Sequence, residues 1–188
     1  FPSDSLYAME HDYMDATFRS MYLGLSAFMN ANQERRELLL GQRAPRFDEA
    51  VLPKNAHFID DFERVATKAI AAKDYFLLVG PPGTGKTSRA LRRMVEKFYA
   101  QPETQILLLA YTNRAVDEIC SSLNAIASAI DYIRIGSELS CDERYREHLV
   151  ENVLAPYHRR KEVRQRLSDC RVYVGTVASL SSKNELFK

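Results

Sequence analysis

The sequence is short of net charge, of cysteine, of long apolar runs and of chain-breaking residues, and each shortage excludes something. Basic and acidic residues number 26 and 25. That balance removes any bulk electrostatic argument for a polyanionic partner, so a nucleic-acid site would have to be local. The three cysteines, Cys120, Cys141 and Cys170, stand far apart and form no CxxC pair. An odd, dispersed set argues against a disulfide framework or a zinc site, and for free thiols in an intracellular setting, cytoplasmic or nuclear. Apolar runs as long as Ile106 to Ala110 are far too short to span a bilayer, so no membrane partner is expected. The start, Phe1 to Asp15, is acidic and lacks the apolar core of a signal peptide. The first residue is Phe rather than Met, which points to a start upstream. With 7 Gly and 7 Pro in 188 residues, and 46% hydrophobic against 27% charged residues, neither disorder nor a fibrous repeat is indicated. What remains is a globular chain, long enough for one ordinary domain with an appendage.

Three zones follow one another along the chain. In the first, Leu6, Met9, Tyr13, Phe18, Tyr22, Leu25 and Met29 recur at near-helical spacing. Asn30 to Asn32 interrupts the pattern, Gln33 to Leu40 resumes it, and Gly41 with Pro45 stops it. Residues 1–57 therefore read as a helical appendage and connector. Asp60 to Ala72 then reads as a helix capped by Asp60 or Asp61.

The third zone alternates strands and helices. Tyr75 to Val79 reads as a buried strand, followed by a Gly-rich loop and a helix to about Tyr99. Gln105 to Ala110 reads as a strand, Arg114 to Ile130 as a helix, and Tyr132 to Ile135 as a strand ended by Gly136. Asp142 to Leu167 reads as a charged helical insertion, spanning about 140–168 and broken near Pro156. Arg171 to Val174 reads as the last strand. Such alternation predicts an α/β fold with a parallel sheet covered on both faces.

The loop between the first strand and its helix meets the pattern G-x-x-x-x-G-K-[ST] in full, from Gly80 to Thr87. Glycines let backbone N–H groups turn toward phosphate oxygens and let the chain approach closely. A helix starting near Gly85 adds the positive end of its dipole. Gly80, Pro81, Pro82, Gly83, Thr84, Gly85, Lys86, Thr87 and Ser88 are thus the expected nucleotide-binding set. Lys86 is expected to reach the β- and γ-phosphates of ATP, and the Thr87 hydroxyl to ligate Mg²⁺, which makes these two the catalytic candidates. The loop alone names no reaction, since remodelling ATPases, helicases and smaller NTPases share it.

The next segment narrows the choice. Ile106 to Ala110, then Tyr111-Thr112-Asn113-Arg114-Ala115-Val116-Asp117, resembles motif Ia of superfamily 1 helicases. It is most similar to the subgroup of RNA-surveillance helicases and Okazaki-fragment nuclease-helicases. The string Arg171-Val172-Tyr173-Val174-Gly175-Thr176-Val177-Ala178-Ser179 resembles that family's strand followed by T-x-x-S, and Tyr132 to Gly136 its intervening v-R-v-G strand. The resemblance covers about Asp61 to Ser182. It implies a RecA-like P-loop domain over residues 58–188, incomplete at its C-terminal side, that translocates on single-stranded DNA or RNA with a second motor domain of the same polypeptide. It further implies that Thr112, Asn113 and Arg114, with Thr176, lie against the nucleic-acid strand. Read from local physics alone, Thr112 or Asn113 would simply cap the following helix.

Two departures qualify the match. Phe62 stands where the family often places an adenine-reading Gln, which opens the site to other purine triphosphates. The acidic strand that holds Mg²⁺ in the family has no counterpart: Asp117-Glu118 falls in a predicted helix and Asp142-Glu143 follows no apolar strand. The expectation is a fragment that binds nucleotide but hydrolyses it near background; the alternative is a nucleotide-binding switch or scaffold module. Five cations between Tyr157 and Arg166 form either a track for the strand or a solvated helix face paired with Glu143, Glu147 and Glu151.

Overall fold

The computed structural model describes residues 14–52 and 57–182. It divides into two compact units, residues 1–44 and 45–188. In the first, α1 (Met14–Asn30) and α2 (Gln33–Leu39) are separated at the Asn-rich break that the sequence predicts. Asn32 makes that break: its side-chain oxygen accepts from the Arg35 N–H at 2.9 Å and caps α2. Phe18, Tyr22, Leu25 and Met29 of the apolar stripe are exposed on α1. Leu6, Met9 and Tyr13 lie outside the described residues.

The second unit begins at Pro45, earlier than a boundary near residue 57, because the connector is stitched to the end of the next helix. That helix, α3 (Asp61–Ala71), is capped by Asp60, which accepts from the Glu63 N–H at 2.7 Å. Glu63 returns the favour to the Ile59 N–H at 2.8 Å. Beyond α3, Phe47 bridges Ala72 antiparallel, and Lys73 N donates to Arg46 O at 2.9 Å. Arg46 also binds the Asp74 carboxylate at 2.8 Å.

The sheet is parallel and three-stranded, in the order β1-β3-β2, with β1 Ile106–Ala110, β2 Tyr132–Ile135 and β3 Val172–Thr176. Ile106 to Ala110 pair rung by rung with Val172 to Thr176, and Tyr132 to Ile135 pair with Val172 to Gly175. Because side chains alternate across a strand, neighbours in sequence enter different cores. Val172, Val174 and Tyr132 join Val95 of α4 (Arg92–Tyr99) and Val116, Ile119 and Leu123 of α5 (Asn113–Asn124). Ile133, Ile135 and Tyr173 instead meet Val150, Val153 and Leu154 of α6 (Val150–Leu154), Leu167 of α7 (Arg160–Asp169) and Leu180 of α8 (Val177–Ser182). Both faces are therefore covered, as the βα alternation requires.

Three elements differ from expectation. Tyr75 to Val79 does not enter the sheet: it is extended, forms no ladder, and leaves Leu77 75% and Val79 91% exposed. The sequence pattern shows only that a segment is apolar; burial requires a strand to pair with, and none lies beside it among the described residues. The α5 helix stops at Asn124, although Ile126 and Ile130 are still buried in the irregular stretch that follows. The charged insertion is not one broken helix but two 3₁₀ turns (Glu138–Ser140 and Glu143–His148), then α6 and α7. Its ion pairs also differ. Arg166 binds Asp131 at 2.8 Å, while Glu143 pairs with Arg146. Arg160, Lys161 and Arg164 are left as an exposed basic face on α7.

Candidate nucleotide and nucleic-acid site

The loop from Gly80 to Gly85 is shaped by its own bonds. Gly83 and Gly85 hold φ of 79° and 81°, the left-handed region that other residues occupy only with strain. Thr84 Oγ1 donates to Pro81 O at 2.9 Å and packs so near Gly80 that a side chain there would meet it at 3.1 Å. Directly after Gly85 the chain enters a wide π-helical turn, Lys86–Leu91, before narrowing into α4. The Gly85 carbonyl accepts from both Arg89 N (2.9 Å) and Ala90 N (3.0 Å). The first N–H groups of that turn have no side-chain cap, which leaves them free to receive an anion.

Lys86 folds back over the loop. Its ammonium donates to the carbonyls of Gly80 and Pro81, the latter at 2.6 Å. A lysine so placed occupies the mouth of the cradle with positive charge and can exchange carbonyl oxygens for phosphate oxygens by rotating its side chain. The donor set therefore fits a polyphosphate: three glycines, open N–H groups, one ammonium and the Thr87 hydroxyl.

A cleft of about 480 Å³ opens beside the cradle, lined by Pro82, Gly83 and Gly85 to Ser88 and, across from them, by Glu118, Ser121 and Ser122 of α5. Ser121 and Ser122 were not singled out in the sequence, and Glu118 was named only as half of an acidic pair set aside because it falls in a helix. Their i, i+3, i+4 spacing marks one polar helix face, but nothing in the sequence says which element that face meets. Phe62 of α3 also borders the loop: a side chain at Gly85 would meet its ring at 3.4 Å, and the Arg89 guanidinium lies 5.7 Å from the ring centre.

The strand register assembles the other candidates. Ala110 is the rung partner of Thr176, so the chain exits of β1 and β3 are neighbours at one end of the sheet. Thr112, Asn113 and Arg114 follow β1 there and are all exposed. Thr112 caps α5, its hydroxyl oxygen facing the Ala115 N–H at 3.3 Å, as local physics alone would have it. Thr176 is placed differently from an open contact residue. It is 5% exposed, and its hydroxyl donates to Ser179 Oγ (2.8 Å) and accepts from Ser179 N (3.0 Å). Its side chain is committed to the turn into α8.

Behind this edge sits a buried cation. Arg134 is 1% exposed in a strand whose four residues are all buried. It binds the Asp117 carboxylate on α5 and donates to Ser140 O at 3.3 Å. Cys120 lies in the same interior, where burial pushes its thiol up to about 11. Among the described residues no group of three His, Cys, Asp or Glu could hold a metal ion. No helix among them is long and apolar enough to cross a membrane.

Comparison with known proteins agrees with this geometry. The family model described as "AAA domain" matches residues 58–184. The chain is 30% identical over 156 residues to the DNA replication ATP-dependent helicase/nuclease JHS1 of Arabidopsis thaliana, covering 77% of this chain and 11% of that protein. It is 31% identical over 150 residues to the DNA replication ATP-dependent helicase/nuclease DNA2 of Bos taurus, covering 72% and 14%. It is 28% identical over 146 residues to the RNA helicase Mov10l1 of Mus musculus, covering 72% and 12%. The chain thus spans only a small part of the length of the curated relatives it matches.

Proposed function

From a chain that belongs to the AAA domain family of superfamily 1 helicases, we propose a motor segment that binds ATP with Mg²⁺ at Gly80 to Ser88 and a single nucleic-acid strand at the exits of β1 and β3. One observation carries the reading: the rung Ala110–Thr176 brings a row of exposed polar groups, Thr112 to Arg114, beside the strand that bears the T-x-x-S turn. The cradle and that row share one helix: Thr112 to Arg114 open α5, and Glu118, Ser121 and Ser122 of its later turns wall the nucleotide cleft.

In this proposal a bound magnesium–nucleotide supplies the phosphoryl group whose transfer to water drives movement. The chain's own residues bind and orient. Gly80, Gly83 and Gly85 shape the cradle, and Lys86 moves from the loop carbonyls to the β- and γ-phosphates. The Thr87 hydroxyl would hold the metal. Asn113 and Arg114 hold the backbone of the strand, while Thr176 shapes the turn into α8 through its bonds to Ser179. The acid that completes the metal site is proposed to come from elsewhere in the polypeptide, because Asp117 is bound to Arg134 and Glu118 stands on a helix. A second motor domain of the same polypeptide is the proposed partner for closure.

Binding of a fluorescent ATP analogue and of labelled single-stranded DNA and RNA by the 188-residue chain tests this. Asn113→Ala with Arg114→Ala should weaken strand binding and lower its salt slope by about 1, leaving nucleotide binding intact. An unchanged strand affinity would remove the assignment.

A further inference from the structure

A cation inside a wholly buried strand is the least expected side chain in the molecule. Well-packed apolar residues at such a site are often as stabilising as an ion pair or more so, because both charges must be stripped of water. The site here is not even fully satisfied: Arg134 Nε is buried without a hydrogen-bond partner. What the guanidinium does achieve is a connection. One arm holds Asp117, which lies four residues, about one helical turn, beyond Asn113 on α5. The other holds the Ser140 carbonyl in the 3₁₀ turn that follows β2.

The topology makes this connection informative. The α5 helix follows β1, whereas Arg134 stands on β2, and β3 lies between those strands. The first turn of α5 is tied covalently only to β1; its packing against the sheet is the non-directional contact of Val116, Ile119 and Leu123. Apolar contact fixes a helix face but resists sliding and rotation weakly. A forked, hydrogen-bonded guanidinium resists both.

We propose that Arg134 is a positioning residue for nucleic-acid binding: through Asp117 it sets the placement of the α5 first turn, and so of Thr112, Asn113 and Arg114, relative to the β2 and β3 exits. This rests on the strand site proposed above. Its specific consequence is that the pair matters more for the strand than for the nucleotide: the cradle of Gly80 to Ser88 is bonded to itself, and α5 gives the nucleotide cleft only its far wall.

The test must separate positioning from stability, since removing one partner leaves a buried unpaired charge and can unfold the domain. The double variant Asp117→Leu with Arg134→Met replaces the pair by apolar groups of similar length. Arg134→Lys keeps the charge and loses the fork. Each is measured for thermal melting, for binding of a fluorescent ATP analogue, and for binding of fluorescein-labelled oligo(dT) and oligo(U). In the double variant, the expected result is melting close to that of the parent and nucleotide affinity within about twofold. Strand affinity should fall at least about tenfold, in line with coupling of 1–3 kcal/mol between connected elements. Arg134→Lys should fall between the two, and it carries the comparison if the double variant does not fold. Amide exchange at residues 113–116 should quicken in both. Strand affinity within twofold of the parent in a folded variant overturns the proposal. So does a parallel loss of strand and nucleotide binding with lowered melting. A parent chain that binds neither oligonucleotide overturns the strand site itself.

Discussion

Gly175 lies hard against the neighbouring strand, and replacing it should show how tightly the β2 and β3 exits are built. Gly175 is the rung partner of Ile135. An added Cβ would lie 3.0 Å from the Ile135 carbonyl oxygen and 3.1 Å from Ile135 Cβ. Backbone cannot swing aside as a side chain can, and Ile135 is itself 1% exposed. The strands must therefore part by a few tenths of an ångström. Overpacking of this kind costs about 1–3 kcal/mol. The gain from a stiffer unfolded chain returns about 0.4–1 kcal/mol. Gly175→Ala should lose about 1–2 kcal/mol net, or roughly 2–8 °C in melting temperature for a domain of this size. Gly136 supplies the control one residue beyond β2: a Cβ there meets nothing within 4 Å. Gly136→Ala should be neutral or slightly stabilising by about 0.4–1 kcal/mol. Thermal and urea unfolding followed by circular dichroism measure both. A Gly175→Ala protein that melts at or above the parent, beside a destabilised Gly136→Ala protein, would refute the close-approach argument.

Other outcomes follow from the same geometry. Lys86→Ala should weaken binding of a nucleoside triphosphate by about 10- to 150-fold, the loss of one charge-assisted interaction of about 1.5–3 kcal/mol; calorimetry showing less than a threefold change would contradict its role. His148 stacks on Tyr132 at 3.9 Å, and burial holds its pKa below the ordinary 6.5. The unfolded chain then takes up the proton more readily, so stability is full above about pH 6.5 and declines as pH falls below it. His148→Phe, which keeps the stacked ring, should flatten that decline in melting temperature; a parent whose stability does not fall on acidification refutes the assignment. Cys120, Cys141 and Cys170 are all buried, and burial raises each thiol. Iodoacetamide at neutral pH should label none of them until denaturant is added, as mass spectrometry would show.

Much of the site was legible because it depends on local chemistry. The spacing of Gly80, Gly85, Lys86 and Thr87 marks a loop that uses the backbone freedom of glycine, and Gly83 and Gly85 hold positive φ. Thr112 was readable as a helix cap and is one. The break at Asn32 and the alternation through β1, β2 and β3 were readable for the same reason: each follows from side-chain volume, hydrogen-bonding capacity and period. The basic run from Arg159 to Arg166 was only half readable. Its charge was plain, but Arg166 found Asp131, thirty-five positions away, rather than the glutamates nearer in sequence.

By itself the sequence determined that this chain carries a P-loop pattern, where its side-chain-capped helices α3 and α5 begin, and which family its motifs resemble. It could not determine that Tyr75 to Val79 would stand outside the ladder, since an apolar string carries no record of whether a neighbour pairs with it. Nor could it show that Thr176 would turn its hydroxyl inward to Ser179, or that Arg134 would reach past β3 to Asp117. The unpaired segment and the Arg134 pair are facts of packing, which depend on the surfaces that distant segments bring together in a parallel sheet of order β1-β3-β2; the Thr176 contact spans only three positions, and its sense follows from the turn that β3 makes into α8.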